Sequence, residues 1–218
     1  MADTLALLPP LLQGLGVTLR ITAGAALLAI PLALVAGLAR MSRWPVLAWV
    51  AACYVEIFRG TSALVQLFWV YYVLPLFGVS LPAITAGILV LGMNAGAYGA
   101  EVVRGAVQGV PRGQREAALA LNLTPAHTLR RIVLPQAVAA MLPPAGNLFI
   151  ELLKNTALVS LITIGDLTFR AQLLRADTLR TFEIFSLVLL LYFAVALCIT
   201  AAIRWLERRL LRKRGGHA

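Results

Sequence analysis

Residues 113–135 read GQREAALALNLTPAHTLRRIVLP, a polar and basic stretch inside a very apolar chain. The stretch is long enough for two short helices. Glu116, Ala117 and Ala118 open the first of them. Asn122 suits the position just past its end, because Asn is one of the few non-glycine residues that enters the left-handed conformation cheaply. Thr124 can cap a second helix, and Pro125 fits its first position, where a backbone N–H would have no helical partner anyway. Ile132, Leu134 and Pro135 lead back into apolar sequence. A water-exposed helix–turn–helix between membrane spans has the character of a docking part for another protein.

The flanking sequence calls for a bilayer. With 61% hydrophobic and 13% charged residues, the 218-residue chain lies outside the range of ordinary soluble domains and of disordered chains. Residues 21–39, 60–100, 132–150 and 184–203 contain no Asp, Glu, Lys or Arg. Each run approaches or exceeds the roughly 20 residues that cross a membrane as helix. The run 60–100 is about two spans long and must turn, with Gly78 and Pro82 as the break. The expected spans are 17–39, 61–77, 82–103, 143–165 and 182–204. Residues 44–58, which carry Glu56, form an interfacial elbow helix or extend the second span. The fourth span starts either at Pro143, which sets Lys154 near mid-membrane, or at Leu134, which sets it at the outer interface.

The net charge of +10 is distributed as a membrane protein would need it, rather than as nucleic-acid binding would. Basic residues gather at span ends, at Arg40 and Arg43, at Arg104, Arg112 and Arg115, at Arg130 and Arg131, and along 204–214. Five spans place the termini on opposite sides. An outside N-terminus and a cytoplasmic C-terminus put 14 of the 19 Lys and Arg residues inside, as the positive-inside rule favours. The same orientation puts the loop 113–135 in the cytoplasm. The run RWLERRLLRKR (204–214) either sits against anionic lipid, at roughly 1 kcal/mol per basic residue, or serves only as a topology anchor, the reading that the positive-inside bias favours. Asp3 stands where a secretory signal needs a basic region, so the first span is expected to stay in place. Cys53 and Cys198 lie in apolar stretches and read as small packing residues.

No Gly-rich phosphate loop is present, and His127 and His217 give no metal-ligand spacing. No nucleophile–base pair is apparent either. The chain is therefore expected not to be an enzyme and to carry no cofactor or metal, its energy coming from a partner. Ionisable residues within spans carry functional weight, since each costs about 2.5–3.5 kcal/mol to insert. Glu151 and Lys154, three residues apart, can pair on one helix face. They are either a structural pair or a zwitterion site. In the second case Lys154 holds a carboxylate, Glu151 attracts a cationic nitrogen, and Asn155 or Thr156 adds hydrogen bonds. Gln66 and Asn94 either line such a pocket or join helices, for well under about 2 kcal/mol each. Gly92, Gly96 and Gly99 point to close helix packing. Glu101 and Arg104 read as a structural pair, and Arg59-Gly60-Thr61 as the bend that opens the second span.

Glu-Ala-Ala at 116–118, three residues, Asn122, nine residues, Ile132, one residue and Leu134-Pro135 resemble the EAA loop of ABC-transporter permeases at every spacing. Asn122 stands where Gly is usual. EIFRGTSALVQLF (56–68), GAYGAEVVRGAVQGVPRGQ (96–114) and LPPAGNLFIELLKNTALVSLI (142–162) are similar to the polar-amino-acid branch of that family. The resemblance covers nearly the whole chain after Gly14. It implies an all-α integral membrane protein of the type I importer kind, one permease domain over 1–218 in a bacterial inner membrane. It also implies an ATPase dimer holding Glu116, Ala117, Ala118, Asn122, Thr124 and Pro125, and a second permease subunit, identical or related. An extracytoplasmic binding protein and a small zwitterionic solute complete the implied system. Where that branch usually reads LLKDTSLVS, Asn155 replaces the Asp. One negative charge fewer suits a neutral zwitterion, either an ectoine- or hydroxyectoine-like solute or a polar amino acid such as glutamine or glutamate. A secondary transporter or channel would show a row of intramembrane acids or an inverted repeat, and neither is evident. A mere scaffold would leave Glu151, Lys154 and the prolines at 135, 143 and 144 unexplained.

Overall fold

A computed structural model describes residues 7–215, with side chains to Leu210. Asp3, His217 and the side chains of Arg212, Lys213 and Arg214 lie outside the described residues. All regular structure within them is helical. α1 spans Leu8–Ala39 and α2 Pro45–Gly60. α3 (Ala63–Phe68) is prolonged by a π-turn, Trp69–Val73, and a 3-10 turn, Leu74–Phe77. α4 is Ala83–Gln108 and α5 Arg112–Ala120. α6 (Pro125–Thr128) runs through a second π-turn, Leu129–Val133, into α7 (Leu134–Asn155) and a 3-10 turn, Thr156–Ile162. α8 covers Leu167–Thr178 and α9 Thr181–Gly215.

Among the described residues, four helical stretches are long and apolar enough to cross a membrane: α1, α4, Pro125–Ile162 and Thr181–Leu210. α2 and the α3 segment form a pair bent by 103° that brings the number to five if it crosses once. The expectation of about five spans fits this arrangement, but two boundaries move. α1 begins at Leu8, nine residues before the expected start at 17. The fourth span does not begin at Pro143, since Pro143 and Pro144 sit inside α7. Helix continues through them because proline costs a backbone bond that neighbouring membrane helices can tolerate. The second helix of the hairpin is therefore the first turn of that span rather than a separate element.

Both π-turns have one explanation. Each ends two residues before a proline, Pro75 or Pro135. Proline offers no N–H and crowds the carbonyl four residues earlier, so a helix continues more easily if it first widens by one residue. Leu74 and Leu134 accordingly donate to Trp69 and Leu129, five residues back.

The core lies mainly between α1 and α4. Ala25, Ala29, Ala33 and Ala36 recur every three or four residues on the buried side of α1. They meet α4 at its glycines, which confirms the expected close packing. A Cβ on Gly99 would lie 2.7 Å from that of Ala33. Without a hydrophobic drive between helices in lipid, such close backbone approach is what holds spans together.

The turn before α8 closes the other end of the bundle. The Asp166 carboxylate accepts from the N–H groups of Thr168 (3.2 Å) and Phe169 (3.0 Å), while Leu167 N–H donates to Thr18 Oγ1 of α1 at 3.1 Å. Burial pushes the Asp166 carboxyl above the usual range, and the two N–H donors pull it back. Asp166→Ala leaves both donors without this partner and is expected to cost about 1–2 kcal/mol. Asp166→Asn, which keeps an acceptor, is expected to retain most of the stability. Thermal unfolding of the detergent-solubilised protein distinguishes the two.

Candidate functional site: docking hairpin and intramembrane pocket

The hairpin after α4 forms as its residues dictate. α5 ends with Asn122 in the left-handed region, at φ 53°. Asn122 N–H donates to Leu119 O at 2.9 Å and Leu123 N–H to Ala118 O at 3.0 Å, the paired bonds of a Schellman end. Asn122 thus adopts the left-handed geometry expected of it. Thr124 Oγ1 accepts from His127 N–H at 3.3 Å and caps α6, whose first residue is Pro125. Arg115 Nη2 donates to Val107 O at 2.8 Å and ties α5 to the end of α4. Glu116, Ala117, Asn122, Thr124 and Pro125 are exposed and open to a partner. Ala118 is not: at 1% exposure it packs the hairpin from inside.

The polar residues of the spans divide differently from expectation. A small pocket of about 10 Å³ between α4 and α7 is lined by Asn94, Tyr98, Glu151 and Asn155 among apolar neighbours. That is room for about one water, so the pocket is closed to a solute in this conformation. Glu151 and Asn155 reach it together because residues four apart share a helix face. Lys154 does not line it. Lys154, on the last turn of α7, and Glu151 are both exposed, and among the described residues no ion pair joins them. α7 starts at Leu134, the second of the two expected starts of this span. Thr156 is fully buried and donates to Leu153 O at 2.6 Å, closing the end of α7.

Gln66 serves the bend between α2 and α3 rather than the pocket. Its Nε2 donates to Phe58 O (3.0 Å) and Thr61 Oγ1 (2.7 Å). Asn94 Nδ2 donates to Phe58 O (2.9 Å) and Gln66 Oε1 (3.3 Å). Asn94 therefore both walls the pocket and fastens the C-terminal end of α2 to α4.

Sequence reasoning missed two groups. The Arg59 guanidinium lies over the ring of the pocket residue Tyr98, 5.4 Å from its centroid. Arg40 of α1 pairs with Glu101 of α4 and lies 3.5 Å from Glu56 of α2, while Arg104 holds the other Glu101 oxygen at 2.6 Å. The expected Glu101–Arg104 pair is thus part of a charge cluster joining three helices. Arg40 carried no such signal, because no local spacing links residues 40 and 101.

Apolar spans, an exposed hairpin and a small pocket lined by polar residues between two spans make up a multi-pass membrane architecture. The pattern described as "Binding-protein-dependent transport system inner membrane component" matches residues 29–212, and the chain belongs to that family. It is a multi-pass protein of the bacterial inner membrane and a permease subunit of a binding-protein-dependent ABC importer, a family in which a separate ATPase supplies the energy. The chain is 42% identical to a probable amino-acid ABC transporter permease, y4tF, of Sinorhizobium fredii, covering 95% of this chain and 90% of that protein. It is 36% identical to the glutamine transport system permease GlnP of Escherichia coli, covering 93% and 94%. A solved structure described as an amino acid ABC transporter with histidines superposes with a TM-score of 0.89 at 38% identity, covering 95% of this chain and 97% of that one.

Proposed function

We propose that this permease imports a polar amino acid through the site between α4 and α7. The observation that carries the reading is the convergence of Glu151, Asn155 and Asn94 on one pocket. Glu151 would hold the ammonium group, and Asn155 and Asn94 would hydrogen-bond the solute. Arg59, stacked on Tyr98, replaces Lys154 as the candidate cation for the carboxylate. A neutral Asn155 would suit an ectoine-like solute as well. The relatives named for amino acids and for glutamine favour an amino acid.

The N-terminus lies outside and the C-terminus in the cytoplasm, in keeping with the basic residues. The permease pairs with a second such subunit, identical or related, and receives its solute from an extracytoplasmic binding protein. An ATPase dimer holds the hairpin through Glu116 and Ala117. Its ATP-driven closure moves α5 and the α6–α7 rod as bodies, opening the pocket alternately to each side.

ATP-dependent uptake by proteoliposomes of the assembled transporter tests this, with glutamine, histidine, arginine and ectoine as solutes. Glu151→Gln is expected to lower amino-acid uptake about tenfold or more, as loss of a bond to a charged group implies. Lys154→Ala is expected to stay near wild type. Uptake of ectoine alone, or full uptake by Glu151→Gln, would overturn the assignment.

A further inference from the structure

We propose that the groove between the docking hairpin and the α1–α2 hinge binds one anionic phospholipid, its chains on the apolar lining and its phosphate between Arg43 and Arg115. The groove encloses about 760 Å³, within the range of sites that hold a bound molecule. Val35 and Leu38 of α1 face Leu119 of α5 and Leu129 across it, with Arg43 on the hinge side and Arg115 on the hairpin side. Among the described residues, no acidic one lines it.

Depth and charge both point to lipid. The uncharged run of α1 ends at Ala39, and charge begins at Arg40 and Arg43, so the groove straddles the boundary between hydrocarbon and headgroups. Trp44 and Trp49 on the adjoining α2 are 77% and 68% exposed, as interfacial tryptophans are. A basic pocket between helices at that level matches phospholipid headgroup chemistry. Arg115 spends one donor on Val107 O and keeps its others. A soluble anion would leave the apolar lining unused. Of the exposed hairpin residues, Glu116, Ala117, Asn122 and Thr124 do not line the groove and Pro125 does, so the groove adjoins the proposed docking face without being formed by it. The lipid site rests on the membrane placement above and not on the identity of the solute.

Native mass spectrometry of the assembled, detergent-purified transporter tests the proposal, with phosphatidylglycerol or phosphatidylcholine added. Wild type is expected to retain one phosphatidylglycerol per copy of this chain, and phosphatidylcholine far less. Arg43→Gln combined with Arg115→Gln is expected to weaken retention about tenfold or more. Leu38→Trp, which fills the groove but keeps both arginines, should also expel the lipid. Co-purification of the ATPase with each variant checks that it is folded. Equal retention by the double variant, equal retention of the two lipids, or a disulfide between Leu119→Cys residues of two permease copies would overturn the proposal.

Discussion

Glu116→Arg is expected to abolish ATP-driven uptake while leaving the protein folded and inserted. Glu116 is exposed on α5, and the structure gives it no ion pair among the described residues. Its replacement should change stability by no more than about 0.5 kcal/mol. Arg112 and Arg115 precede it on α5 and Arg130 and Arg131 follow later in the hairpin, so the acid stands in an otherwise basic stretch of sequence. On the proposed docking of Glu116 against a basic site of the ATPase, reversing that charge sets like charges against each other, at a cost of several kcal/mol. Uptake and ATP hydrolysis measured on one proteoliposome sample should separate: hydrolysis persists at its basal rate and transport stops. Uptake at the wild-type rate would remove Glu116 from the interface. Ala118→Glu is the contrasting case, since it buries a charge inside the hairpin and should fail by loss of structure.

Gly99→Val is expected to be among the most destabilising single changes in the bundle. The first added carbon already stands 2.7 Å from the Ala33 Cβ, too close for either helix to keep its place. At the next contact along the pair, a Cβ on Gly37 would meet the Ala100 carbonyl oxygen, also at 2.7 Å. Overpacking at such points costs about 1–3 kcal/mol. Here it also pushes α1 from the helix that carries Asn94 and Tyr98, so uptake should fall with stability. Gly105→Ala provides the control: it lies on the same helix with nothing within 4 Å. That change should be neutral or stabilise by up to about 1 kcal/mol. Thermal unfolding in detergent should rank the pair, and equal midpoints would refute the close-contact account.

Features set by neighbours along the chain were legible in the sequence. The apolar runs follow from composition, because a bilayer admits little else as helix. The left-handed Asn122, the Thr124 cap and Pro125 at the first helical position follow from preferences acting over four residues. The glycines of α4 could be read as a packing face because helix periodicity sets them there. The rotation and depth of each helix are another matter. Whether Glu151 or Lys154 lines the pocket depends on how α7 is rotated against α4, which no local spacing fixes. Arg59 enters the site only because the chain folds through 103° after Gly60, a bend held by Gln66 and Asn94. Arg40 finds Glu101 sixty-one residues away. Local preference is blind to such pairs: their energy appears only once the helices have packed, so only the tertiary structure could decide which polar groups meet.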